Sequence, residues 1–293
     1  MKKGASLGSK IIIYTVLILC CLICIIPLIT VVSVSFSDDM RLIKEGYGIL
    51  PKGFSLEGYE YVFRAPAEII RAYGVTILVT ILGLVFGVSI NALLAYVLSV
   101  KEYRFHKQLT IFLLIPMLLS GGIVSSYIWI TSLNLKNTLW VMFVPSIVSP
   151  WNVIMMRTFF LKLPYSLKEA ATIDGAGELT IFTKIILPLS KPVLATIGML
   201  TVLAFWNDWY APLLYITDPE LYNLQYRLYL IMKNVQEMTK AVMNAGMNIS
   251  LKDLPTESMR MAMCVISAGP MLFVFPFFQK YLVKGLTVGG VKE

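Results

Sequence analysis

The chain is organised by long stretches without charge, separated by short clusters of lysine, arginine and carboxylate. Ile11–Phe36, Ala72–Val100, Gln108–Leu135, Asn137–Met156 and Met261–Gln279 contain no Asp, Glu, Lys or Arg, and Pro192–Thr217 contains one, Asp208. A helix crossing the hydrocarbon core of a bilayer needs roughly 20 apolar residues at about 1.5 Å each. Six such runs predict six spans, at about 11–36, 72–100, 108–131, 138–160, 192–216 and 259–281. The expected fold class is therefore an all-α integral membrane protein, with residues 1–293 forming a single transmembrane domain.

Composition agrees with the pattern. The 293 residues are 57% hydrophobic and 14% charged, with a mean hydropathy of +0.76. Soluble domains are about a quarter charged. The net charge of +8 could mark a nucleic-acid binder, but in so apolar a chain it reports basic cytoplasmic loops. With the N-terminus inside, segments 1–10, 101–107, 157–191 and 280–293 hold fourteen basic and five acidic residues, a balance of +9. The remainder holds eleven basic and twelve acidic, a balance of −1. This asymmetry places both termini on the cytoplasmic side. The first span follows Lys2, Lys3 and Lys10 as a signal peptide would. Its apolar run exceeds the roughly 7–15 residues of a signal core, which predicts a retained anchor. Cys20, Cys21 and Cys24 fall in the first span and Cys264 in the last. They have no His or acid beside them, so buried, reduced thiols are expected rather than a metal site or a disulfide.

Two outer segments are long enough to fold, Asp38–Arg71 and Asp218–Arg260. The second places Leu230, Ile231, Val235, Met238 and Val242 at helical spacing, which predicts an amphipathic helix on the outer surface.

The segment least at home among apolar runs is "SLKEAATIDGAGELTIFTKIILPLSKP", Ser166–Pro192. Pro164 closes what precedes it. Ser166 and Glu169 have the S-x-x-E spacing of a capping box, which predicts a helix starting at Ser166. Gly175 and Gly177 end it, so a short helix of about 166–177 is expected. Its small Ala170 and Ala171 would let another surface approach closely but would grip lipid poorly.

These residues carry a resemblance. Glu169, Ala170, Ala171, Gly175, Ile185, Leu187 and Pro188 match, at every signature position, the pattern of inner-membrane permease subunits of ATP-binding-cassette importers. "FWNDWYAPLLY" and "KGLTVGGVKE" are similar to carbohydrate permeases of the maltose-transporter type, nearest the oligosaccharide permeases of Gram-positive bacteria. The resemblance implies a type I importer permease, multi-pass in the bacterial cell membrane, forming half of a sugar path. It implies a second homologous permease as heterodimer partner, two ATPase subunits and an extracellular solute-binding lipoprotein. ATP and Mg would be held by the ATPases, with no cofactor or metal in this chain. Glu169, Ala170, Ala171, Asp174 and Gly175 would form a coupling helix docked on an ATPase. The alternative is the same machine for a phosphonate, polyamine or amino acid.

The residues themselves agree that the energy source lies elsewhere. The chain has no G-x-x-x-x-G-K-[ST] loop and no H-E-x-x-H, and His106 is its one histidine. A secondary carrier would usually bury ionisable groups at mid-membrane. Asp208 alone is available, roughly 25 Å beyond Lys191 at about 1.5 Å per residue, near the outer end. For the solute path, aromatic faces and amides suited to sugars gather at Trp206, Asn207, Asp208 and Tyr210. Further candidates are Asn152 beside Trp151, the stretch Ser125, Ser126, Tyr127 and Trp129, and Asn91 at depth. Each also has a structural explanation, as an interfacial belt or an interhelical polar contact.

Overall fold

The computed structural model describes residues 7–100, 103–244 and 257–288. Among them every regular element is helical, and the one bridge, Ser37 with Phe54, is isolated. Three helices are each long and apolar enough to cross a membrane: α1 (Leu7–Ser35), α4 (Pro66–Ser99) and α14 (Glu257–Val288). Three further candidate spans are bent pairs, and counting each pair as one raises the number to six. Backbone contacts group the chain into two compact units, Met1–Pro66 with Leu228–Pro270, and Ala67–Arg227 with Met271–Glu293.

In the first unit, α1 leads through Asp38 into α2 (Asp39–Glu45), and α3 (Glu57–Val62) follows. The Asp38 carboxylate accepts the Arg41 N–H at 2.9 Å, satisfying one of the donors a helix start leaves open. Asp39 does the same for the start of α14, accepting from the Ser258 N–H at 2.9 Å and its hydroxyl at 3.1 Å. Gly58 lies where a Cβ would come within 2.8 Å of the Ser258 backbone, so α3 crosses that start in direct contact. The predicted amphipathic helix is α13 (Leu224–Asn244). Within it Val235 is buried and Met238 exposed; the Val242 side chain lies outside the described residues, as do Lys2, Lys3 and the 289–293 end of "KGLTVGGVKE".

The second unit contains the bent pairs. α5 (His106–Leu118) meets α6 (Gly122–Ser132) at 118°. Pro116 removes a backbone donor just before the bend, and Gly122, at φ 77°, adopts a conformation a side chain resists. The 3-10 turns Leu139–Met142 and Val144–Ser146 meet α7 (Pro150–Phe160) at 48°. α8 (Tyr165–Ile173) precedes α9 (Glu178–Ile181), a π turn (Phe182–Ile186) and α10 (Leu187–Leu189). These join α11 (Lys191–Trp206) at 81°, with Pro188 and Pro192 on either side of the corner. The expected span 192–216 therefore ends as a helix at Trp206 and resumes as α12 (Tyr210–Tyr215). α4 and α11 approach closely: a Cβ on Gly83 would fall 2.3 Å from the Phe205 ring.

The thiols differ from expectation. Cys20, Cys21, Cys24 and Cys264 form no disulfide and are exposed on their helices rather than buried. A thiol behaves as a small hydrophobe, so an outward apolar face accommodates it as readily as a core.

Candidate coupling helix and solute cavity

The capping box predicted for Ser166 does not form. Pro164 occupies the N-cap position with φ −57° and ψ 121°, and no side chain caps the helix. The Leu167 N–H already bonds the Pro164 carbonyl at 3.2 Å, so Ser166 lies inside the first turn, where its hydroxyl cannot reach the open donors. The helix expected over 166–177 is α8, ending at Ile173. Its end is a Schellman motif. Gly175 N–H bonds Thr172 O at 3.0 Å, Ala176 N–H bonds Ala171 O at 2.9 Å, and Gly175 takes φ 80°. A Cβ on Gly175 would meet nothing within 4 Å, so within this chain the glycine is required for its backbone angle and not for space.

Two faces of α8 do different work. Ala171, 9% exposed, joins a core cluster with Met156, Phe160, Ile181 and Phe182. Ser166, Glu169, Ala170 and Ile173 share the opposite, exposed face at helical spacing. Of the five residues predicted to dock, Glu169, Ala170, Asp174 and Gly175 are exposed, while Ala171 faces its own chain. Ile173, 80% exposed, was not among them, although its position four residues after Glu169 is a signal the sequence contains. Behind α8, Lys168 Nζ stands 3.3 Å from Glu178 Oε1, and the Tyr96 hydroxyl bonds the other oxygen of Glu178.

A cavity of about 900 Å³ opens elsewhere in the same unit, walled by α6, the 141–150 stretch, α7, α11 and α12. Asn152, Asp208 and Tyr210 line it, together with Ser120, Ser126, Ser146, Ser149 and Thr201. Asp208 also starts α12, its Oδ1 accepting the N–H groups of Tyr210 at 3.0 Å and Ala211 at 3.1 Å. Its backbone carbonyl accepts the Asn223 amide. The other predicted path residues lie elsewhere. Trp206 is buried with its ring 6.4 Å from that of Tyr73. Asn207 donates to Leu203 O at 2.9 Å and accepts from Gln225 at 3.2 Å.

Asn91 is buried on α4, where its amide donates to Gly87 O at 2.6 Å and to Ile147 O at 2.8 Å, while its oxygen accepts the Ser149 N–H at 2.9 Å. It therefore satisfies the backbone exposed by the break before α7, as interrupted helices in membranes require. Among the described residues no three His, Cys, Asp or Glu side chains gather as metal ligands.

Residues 105–288 match the family described as binding-protein-dependent transport system inner membrane component. The chain belongs to this family. It is 34% identical over 270 residues to protein LplC of Bacillus subtilis, covering 92% of this chain and 90% of that one. It is 32% identical over 286 residues to the polygalacturonan/rhamnogalacturonan transport system permease protein YtcP of the same organism, covering 96% of each. Its fold resembles a chain from the crystal structure of a bacterial ABC transporter involved in the import of the acidic polysaccharide alginate. The TM-score is 0.79 at 25% identity, over 96% of this chain and 99% of that one. The protein is accordingly an ABC importer permease, an all-helical component of the bacterial inner membrane working with other transporter components.

Proposed function

We propose that this permease forms half of the translocation path for a saccharide or oligosaccharide and takes its energy from a separate ATPase docked on α8. The observation that carries the coupling is the exposed face of α8, on which Glu169, Ala170 and the 80% exposed Ile173 stand together while Ala171 anchors the helix from behind. A short helix gains its stability from packing, and here one side is packed and the other left open. The assembly is a heterodimer with a second homologous permease, two ATPase subunits that bind ATP and Mg, and an extracellular solute-binding lipoprotein. Both termini and α8 lie on the cytoplasmic side, as the +9 and −1 charge balance favours. The chain is a non-catalytic subunit, which accords with its lack of a phosphate-binding loop.

The saccharide reading is supported by what the relatives' names state and by the cavity itself. Its lining combines hydroxyls and an amide with the Tyr210 ring, the mixture of polar groups and aromatic faces that suits a sugar. The test is copurification with uptake. Tagged permease should bring down an ATPase, and vesicles containing the complex should take up saccharide only with ATP. Uptake of a phosphonate, polyamine or amino acid in place of every saccharide would leave the machine and replace its cargo. Uptake by the chain alone under a proton gradient would remove the ATPase from the scheme.

A further inference from the structure

α8 packs on its own chain at Ala171, and its Lys168 reaches a carboxylate of the next helix. Glu178, the first residue of α9, has one oxygen at 3.3 Å from Lys168 on α8 and the other bonded to the Tyr96 hydroxyl on α4. Tyr96 is buried and set against Phe182, ring centroids 5.1 Å apart, so its hydroxyl is fixed by packing. The Lys168 side chain is only 17% exposed, although its helix lies at the surface. Three elements thus meet at one side chain. α4 is also the unbroken helix that holds the break before α7 through Asn91 and meets α11 at Gly83, and both of those elements wall the cavity.

We propose that Glu178, with Lys168 and Tyr96, is a clasp that transmits movement of α8 to α4, and so from the docked ATPase to the cavity walls. This rests on the docking reading above. Apolar contact at Ala171 keeps α8 against the body but resists sliding weakly, because dispersion is non-directional. The Tyr96 hydrogen bond on one oxygen is directional, the Lys168 ion pair holds the other, and with both made α8 and α4 move together. Glu178 lies off the docking face, so its role is positioning, separable from ATPase binding.

The test uses the assembled importer in vesicles with a reporter cysteine, Ser126→Cys, on the cavity wall. Its reaction rate with an impermeant thiol reagent is measured with and without ATP and vanadate. The parent chain, with native Cys20, Cys21, Cys24 and Cys264, supplies the background. With the clasp intact, trapped nucleotide should change the rate. Glu178→Ala should retain the ATPase and its hydrolysis yet reduce that change about fivefold, the scale of losing one water-screened ion pair. Tyr96→Phe, which keeps the ring packing, should give part of the loss. Exchanging the charges, Lys168→Glu with Glu178→Lys, should restore part of the response. A full response in Glu178→Ala overturns the clasp, as does loss of ATPase binding in that variant or no rescue by the exchange. No response in the parent reporter chain, with clasp intact, instead overturns the docking reading on which the clasp depends.

Discussion

Two polar clasps tie α4 to its neighbours five residues apart, and they are built from opposite materials. At Asn91 a neutral amide, 2% exposed, bonds the Ile147 carbonyl and the Ser149 N–H, backbone groups that the break before α7 leaves open, as well as Gly87 O of its own helix. At Tyr96 the partner is a carboxylate whose side chain is 60% exposed and which also pairs with Lys168. Removing the first strands backbone groups in a dry interior, which costs the full desolvation of each. Removing the second takes away a carboxylate that water already reaches, and pairs that water screens contribute little to stability. The difference separates a joint that must not move from one that can be made and remade during a transport cycle.

The largest expected effect follows from the first clasp. Asn91→Leu should destabilise the permease by about 2–6 kcal/mol, from stranding the Ser149 N–H and the Ile147 carbonyl at roughly 1–3 kcal/mol each. Thermal unfolding in detergent reads this directly. A variant as stable as its parent would show that water or another group serves the break and that Asn91 is not its keeper. Glu178→Ala, by contrast, should cost only about 1 kcal/mol, since water screens the 60% exposed carboxylate even though Lys168 is 17% exposed.

Next in size is the docking face. Ile173→Glu should insert normally, because the side chain touches nothing it would disrupt at 80% exposure, yet should lose ATPase copurification. Truncating a central apolar anchor of an interface costs about 2 kcal/mol or more, roughly thirtyfold in affinity. Glu169→Lys should weaken the same association through charge alone. Its effect on helix stability should be smaller than a lost capping box would give, since no such box is present. If Ile173→Glu copurifies the ATPase as parent does, the partner binds another face.

The sequence makes some of these regions legible and hides others, for physical reasons. Apolar run length reports hydrocarbon thickness, so all six candidate spans can be counted from it. It does not report where a span breaks, because Pro116, Gly122 and Pro150 bend helices only when neighbours such as Asn91 satisfy the freed backbone. The Glu169–Gly175 signature reports a short helix but not which way its residues face. Ala171 faces inward on the same side of α8 as Lys168, which reaches Glu178 ten residues on, and neither contact is carried by a local pattern. Ser166 has the right spacing for a cap and fails because Pro164 has already begun the helix. Among the polar and aromatic residues of the fifth run, Trp206 and Asp208 look equally suited to the path in sequence. The helix end at Trp206 turns one into the interior and the other toward the cavity.

At Gly175 the comparison between shape and space becomes testable. The left-handed backbone angle costs a side chain about 1 kcal/mol, and asparagine tolerates it better than alanine. Within this chain there is room for either. Gly175→Asn should therefore retain helix and coupling more fully than Gly175→Ala. If both fail equally in ATPase binding while folding normally, the missing space is in the complex, and the partner approaches the Gly175 backbone directly.

The smallest expected change in stability belongs to Asp208, and it separates the cavity from its scaffold. Asn caps a helix start about as well as Asp, so Asp208→Asn should keep the bonds to Tyr210 and Ala211 and unfold within about 0.5 kcal/mol of parent. Asp208→Ala loses both bonds and should cost about 1 kcal/mol. Uptake ranks the two differently. If the carboxylate serves only to start α12, Asn should transport as parent does and Ala should lose activity in step with its stability. If the carboxylate faces solute, as its place in the cavity lining favours, Asn should raise the KM for uptake severalfold at unchanged stability. The charge lost is then one that the passing solute met. Equal uptake by parent and Asn, with a deficit only in Ala, would assign Asp208 to the scaffold and leave Asn152 and Tyr210 as the lining residues on which solute contact must be sought.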